Sequence, residues 1–212
     1  MAAVQSSVAP PEALEIRRLG RAEYEPTWRA MQEFTRTRDA ACADEIWLLE
    51  HPPVYTQGLG CRMGPVRANG IPVVHTDRGG QITFHGPGQA IAYVLVDLSR
   101  RGVGPRWLVE RMEEAVLRML GQHGIRGVRR PGAPGVYVDE AKIAALGLRV
   151  KNGASYHGLS LNVEMDLAPF ADIHPCGYQG LRVTQLADLG VRLPMSQAFA
   201  GLESALVSVL AG

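Results

Sequence analysis

Cys176 stands in the hexapeptide "IHPCGY", between a proline that fixes the backbone before it and a glycine that frees the backbone after it. That setting presents a thiol on a loop. A structural cysteine more often sits inside an apolar run, as Cys42 does in "AACAD", while Cys61 in "GLGCRM" fits either description. A thiol becomes a nucleophile when a neighbour favours the thiolate. Lys142, His85, His157 and His174 are the candidates for that neighbour, and the spacing of the residues does not rank them.

A second candidate lies in "TDRGGQITFHGPGQ" (76–89), where two glycine clusters enclose Arg78 and His85. Glycines let a ligand approach the backbone, and phosphate is the first ligand to consider. The stretch has no GxxxxGK[ST], and no GxGxxG follows a strand and opens a helix, so a nucleotide loop is not indicated. "GPGQ" reads instead as a turn between strands. Arg78 then has a plain alternative as a surface cation, and His85 as a satisfied histidine at a strand end. The six histidines show no HExxH, and there is no CxxC, so no metal site is expected.

Elements must carry these residues. Strand-like runs rich in β-branched and aromatic residues cover 45–50, 71–75, 81–85, 90–98, 135–139, 142–150 and 155–165. Helical periodicity covers about 23–40, 105–121 and 195–210. In the second helix Leu108, Met112, Ala115, Val116, Met119 and Leu120 form the stripe, and Trp28, Met31, Phe34 and Thr35 form it in the first. Asn152-Gly153 joins two of the strands as a hairpin turn. Strict alternation then puts His157, Leu159, Leu161, Val163 and Met165 on one face, with Tyr156, Gly158, Ser160 and Asn162 on the other. Gly147 and Gly158 either floor a slot or permit close packing of the sheet. Consecutive strands with few helices predict a single α+β domain with a mixed or antiparallel sheet and flanking helices. It spans 14–212, behind a flexible tail at 1–13.

Length and composition agree with one globular domain: 212 residues, 46% apolar, 20% charged, formal net charge +1. Near-zero charge argues against a dedicated nucleic-acid or membrane-surface protein. The longest apolar run, "AIAYVLV", is far shorter than a membrane span, and "MAAVQSSVAPPE" lacks the marks of a signal peptide. Three widely spaced cysteines suit a reducing cytoplasm.

Three stretches together, "RGGQITFHGPGQ", "KIAALGLRV…SYHGLSLNVEMDLAPF" and "IHPCGY", resemble the signature blocks of the octanoyltransferases, the lipoate–protein ligase B family. The likeness runs from about Leu14 to the C-terminal helix. It implies the fold of the biotin/lipoate protein-ligase superfamily. It also implies transfer of an octanoyl group from acyl carrier protein to a lysine of lipoyl domains, including those of 2-oxoacid dehydrogenases and the glycine-cleavage H protein. By the same resemblance Cys176 forms an acyl-thioester and Lys142 lowers its pKa. The substrate site would be lined by Arg78, Gly79, Gly80, Gln81, Ile82, Thr83, Phe84 and His85, by Ala145, Leu146 and Gly147, and by Gly158, Leu159 and Ser160. No ATP, metal or other cofactor is implied, since the acyl group arrives on the carrier's phosphopantetheine arm.

The residues accommodate that picture. Gly79 and Gly80 would offer backbone N–H groups to an oxyanion, and small residues at 147, 158 and 160 would leave room for an alkyl chain. Burying six methylenes of that chain gains roughly 5 kcal/mol. Arg100, Arg101 and Arg106, and separately Arg126, Arg129 and Arg130, form basic clusters suited to an acidic carrier. Three rivals remain: an ATP-dependent lipoate or biotin ligase, a cysteine thioesterase that gives the acyl group to water, and a non-enzymatic binding module.

Overall fold

The computed structural model describes residues 14–61, 69–173 and 182–211. In chain order these form β1 (Leu14–Arg21), α1 (Tyr24–Thr37), β2 (Asp44–Glu50), β3 (Val54–Gln57), β4 (Val73–His75), β5 (Ile82–His85), β6 (Gln89–Leu95), α2 (Leu98–Arg101), α3 (Pro105–Gln122), β7 (Val128–Arg129), β8 (Gly135–Val138), β9 (Ala141–Lys151), β10 (Ala154–Asn162) and α4 (Met195–Leu210). The expected tail, 1–13, lies outside the described residues, as do Cys176 and His174.

Seven strands build one sheet in the order β1-β2-β6-β10-β9-β8-β7, and three build a second in the order β4-β3-β5. Each sheet contains one parallel pair, β1 with β2 and β3 with β4; the other pairings are antiparallel. The fold is therefore mixed α+β. The large sheet is covered on both faces. Ile46, Leu48, Ala92, Val94, Leu159 and Leu161 meet α3 and α4 on one side. Trp47, Leu49, Ile91, Tyr93, Leu95 and Tyr156 meet Met31 of α1 on the other. Double coverage explains why "AIAYVLV" is apolar throughout, since alternate residues enter different cores. The predicted stripe of α3 is completely buried. A third, smaller core joins Tyr55, Ile82, Phe84, Met165 and Ile173 under the small sheet. Among the described residues no helix is long and apolar enough to cross a membrane.

The predicted hairpin is present, with Asn152 at φ 51° and Gly153 at φ 78°, as the turn demands. The alternation beyond it holds for Leu159, Leu161 and Val163, which enter one core, and for Tyr156, which enters the other, but it breaks at His157. His157 sits in β10 at φ 61°, a left-handed conformation that a side chain adopts only under constraint. Its ring consequently leaves the Leu159 face and stacks on Tyr156, centroids 5.1 Å apart.

Candidate active site

Lys142 lies at the start of β9, where a register shift against β8 turns it out of simple alternation. Its Nζ donates to the Pro134 carbonyl at 3.2 Å and lies 5.2 Å from the Tyr137 ring centroid. The side chain crosses Gly135, where an added Cβ would come within 3.1 Å of its Cε and 2.7 Å of the Ala144 carbonyl oxygen. Burial, and then the Arg130 cation, push the amine's pKa down, against the pull of Glu113. The Lys142 backbone also bonds a returning chain: its N–H donates to the Arg182 carbonyl at 2.7 Å and its carbonyl accepts from Thr184 N–H at 3.0 Å. Upstream of Cys176, Ile173 is fixed in the small-sheet core. The described residues that flank the Cys176 segment are thus Ile173, in the small-sheet core, and Arg182, beside Lys142.

The segment around Arg78 is built differently from the surface loop its composition suggests. Arg78 is 7% exposed. Its Nη2 donates to the Thr56 carbonyl (2.5 Å) and hydroxyl (2.8 Å), and Nη1 donates to the Gly79 carbonyl (3.0 Å). Among the described residues no carboxylate pairs with it, and burial pulls its pKa down. The Gly79 N–H is not bare, because it donates to the Leu148 carbonyl at 2.8 Å. This corrects the expectation that both glycine amides stand ready for an oxyanion. Gly80 retains that possibility: its N–H finds no backbone acceptor among the described residues. Gln81 accepts at its carbonyl from Gly58 N–H, and Thr83 pairs across the ladder with Thr56. Ile82 and Phe84 point into the small-sheet core.

Two of the expected substrate segments are cross-strand partners: Gly158 faces Gly147, Leu159 faces Leu146, and Ser160 faces Ala145. Their glycines differ in purpose. A Cβ at Gly147 would meet Arg78 Cδ and the Gly79 carbonyl oxygen, each at 3.2 Å, so this glycine seats the 78–80 segment on β9. A Cβ at Gly158 would overlap the Ala92 carbonyl of β6, which is the packing role rather than a slot. The structure thus joins Arg78, Gly79 and Gly147 and assigns Gly158 to the sheet.

His85 and His157 belong to buried polar clusters whose other members spacing did not single out. Asp77 accepts from Trp28 Nε1 (2.9 Å), Gln32 Nε2 (3.1 Å), Tyr156 OH and His157 Nε2 (3.1 Å). Burial alone would raise its pKa, but these four donors hold it well below the ordinary carboxylate range. Burial also lowers the pKa of His157, against the pull of Asp77, and the His157 Nδ1 is buried without a partner. His85 Nδ1 meets Gln89 Oε1 at 2.7 Å; burial pushes its pKa down to about 3. His51 meets the Ala22 carbonyl (2.5 Å) and Tyr93 OH (2.7 Å), and burial lowers it to about 4. All three imidazoles are therefore neutral at pH 7. The participants come from α1, β5, β6 and β10 and from the chain just after β1, β2 and β4, separations that no local motif spans. Among the described residues no group of three or more His, Cys, Asp or Glu side chains is placed to hold a metal.

The basic clusters also separate. Arg100 and Arg101, together with Arg38, converge on the buried Asp44 at 2.6, 2.9 and 2.7 Å. These ion pairs tie Arg100 and Arg101 to the fold, although Arg101 stays exposed. Arg106 pairs with Glu110, and Arg129 with Glu113 and Glu114.

The lipoyl protein ligase A/B catalytic-domain family matches residues 23–206. An octanoyltransferase of Thiobacillus denitrificans is 60% identical over 200 residues, 94% of this chain and 92% of that one. An octanoyltransferase of Pseudomonas fluorescens is 52% identical over 198 residues, 93% and 92% of the two chains. Among solved structures, the putative lipoate protein ligase Ta0514 of T. acidophilum superposes with a TM-score of 0.71 at 17% identity, over 92% of this chain and 85% of that one. The biotin protein ligase of Aquifex aeolicus gives 0.60 at 11%, over 92% and 70%. These structural likenesses place the chain in the biotin/lipoate protein-ligase fold.

Proposed function

Since this chain belongs to the octanoyltransferase family and is an acyltransferase, we propose that it moves an octanoyl group from acyl carrier protein to a lysine of lipoyl domains, through a thioester on Cys176. Lys142 handles the protons. In the first half-reaction the Cys176 thiolate attacks the carrier thioester, and the departing pantetheine thiolate takes a proton from the Lys142 ammonium. In the second, the target lysine's amine attacks the Cys176 thioester. A C–N bond forms, the C–S bond breaks, the electron pair returns to sulfur, and the proton shed by nitrogen passes to Lys142 Nζ. The thiolate–ammonium pair is restored. Splitting the transfer in this way is covalent catalysis with general acid–base assistance.

The supporting observation is the backbone pairing of Lys142 with Arg182 and Thr184, the chain that follows the Cys176 segment. An unperturbed thiol is only about 3% thiolate at pH 7, so complete ionisation by a neighbouring ammonium gains at most ~30-fold. The larger demand is the second proton transfer, for which a half-buried amine that loses its proton easily is suited. The reading needs no nucleotide, because the incoming thioester already carries the transfer potential.

Intact mass after incubation with octanoyl-acyl carrier protein tests it. The wild type should gain one octanoyl mass and lose it on addition of an apo lipoyl domain, and Cys176→Ala should gain none. A gain that survives in Cys176→Ala would sink the assignment. ATP with free octanoate replacing the carrier distinguishes the ligase reading, and loss of the group to water alone distinguishes the thioesterase.

A further inference from the structure

One aromatic ring carries two cations. Arg130 Cζ lies 4.4 Å from the Tyr137 ring centroid, and Lys142 Nζ lies 5.2 Å from it. The ring is 1% exposed, and its hydroxyl is anchored on the Ala133 carbonyl at 3.1 Å. Each cation is attracted to the ring, yet each repels the other, so a shared platform holds together two charges that would otherwise separate.

The other groups around Lys142 offset this repulsion only in part, through Glu113. From α3, Glu113 is buried, but it already accepts from Gly135 N–H at 3.0 Å and pairs with Arg129 at 3.3 Å. From β7, Arg129 is committed to Glu113 and Glu114. β8 contributes the neutral Tyr137, and burial raises that phenol's pKa further from neutrality. The returning chain contributes backbone at Arg182 and Thr184, with the exposed Arg182 as a further cation. Among the described residues no carboxylate forms an ion pair with Lys142 or Arg130. Cys176, the ionisable partner that the proposed function supplies, lies outside the described residues.

We propose that Arg130 is a positioning residue for Lys142: its guanidinium, docked on Tyr137, makes the neighbouring ammonium give up its proton readily, so that the neutral amine is available to take the proton of the attacking lysine. This rests on the reading of Lys142 as the proton carrier. While Cys176 is a thiolate, its negative charge opposes Arg130 and keeps Lys142 protonated. Once acylation removes that charge, Arg130 acts unopposed, and Lys142 becomes a base at the stage where one is required.

The chain makes the test clean, because Lys142 and Lys151 are its two lysines. Protein labelled with ¹³C,¹⁵N-lysine in the Cys176→Ala background, which has no thiolate, gives two side-chain titrations by NMR. The exposed Lys151 serves as internal reference, and Lys151→Arg assigns the signals. Arg130→Gln should raise the Lys142 midpoint by about 0.5 to 1 and leave that of Lys151 in place. Arg130→Lys, which keeps the charge, should restore most of the difference. A Lys142 midpoint that Arg130→Gln leaves unmoved overturns the inference, whatever the activity. Single-turnover transfer from the acyl-enzyme, with Cys176 intact, supplies the second readout. The pH at which its rate reaches half-maximum should move upward with the midpoint in Arg130→Gln. A midpoint that moves while the rate profile stays fixed overturns Lys142 as the base, which is a failure of the functional reading and not of the electrostatic coupling.

Discussion

Asp77 and Lys142 illustrate opposite uses of burial. Asp77 is kept ionised by four donors drawn from α1 and β10, and it thereby fixes the backbone immediately before Arg78. Replacing it with Asn keeps the shape but removes the charge that strengthens these bonds. Asp77→Asn should cost about 2–3 kcal/mol at pH 7, measured by urea unfolding. The sign with pH is fixed by the direction of its shift. A carboxyl held below its unfolded value stabilises the fold above the ordinary carboxylate range, and that contribution is lost as pH falls further toward the folded value. The gap between wild type and Asp77→Asn should therefore narrow in acid; a gap that is constant down to pH 3 would contradict the network. Lys142, by contrast, is pushed toward neutrality. Residue type alone identified Cys176, Lys142 and Arg78 as chemically interesting. It could not identify Asp77, because a carboxylate beside an arginine reads as a surface pair until Trp28 and Tyr156 are brought to it from 49 and 79 positions away.

At the scale of elements, legibility followed burial. α3 and β6 were readable because each has a continuous or strictly periodic apolar pattern, and the β9–β10 turn was readable from Asn-Gly. β1 was not, since "LEIRRLGR" buries only alternate positions in part and presents arginines elsewhere. β3 was hidden by its length, four residues after a pair of prolines. The alternation of β10 failed at His157, whose left-handed backbone redirects its own side chain, while Tyr156 and Leu159 keep the opposite faces that alternation gives them. The paired glycines were legible as a pair but not in their separate roles, which depend on what lies above each. That difference can be measured. Gly158→Ala drives a methyl into the β6 backbone and should cost about 1–3 kcal/mol or prevent folding. Gly147→Ala meets the flexible stem of Arg78, besides the Gly79 carbonyl, and should fold while raising KM for the octanoyl carrier. Equal stability of the two variants would refute the assignment.

The molecule as a whole stores acid sensitivity in its interior. His51 and His85 are neutral in the fold, with pKa values of about 4 and about 3. The unfolded chain, in which they titrate near 6.5, binds more protons below that pH, so stability should fall as pH drops from about 6.5 toward 4. These two groups contribute a slope of up to about 2.7 kcal/mol per pH unit, and His51→Phe should remove about half of that contribution; an unchanged slope would show that these rings do not control it. The distribution of arginine has a separate consequence, at the rims of the large sheet. One rim is β1, where Arg17, Arg18 and Arg21 stand along the outermost strand; the other is β7, only two residues long. A rim that is charged, or too short to template a neighbour, resists the addition of foreign strands. Aggregation of this protein should then begin by the opening of a core, not by growth along the sheet, and heating rather than crowding should be what provokes it.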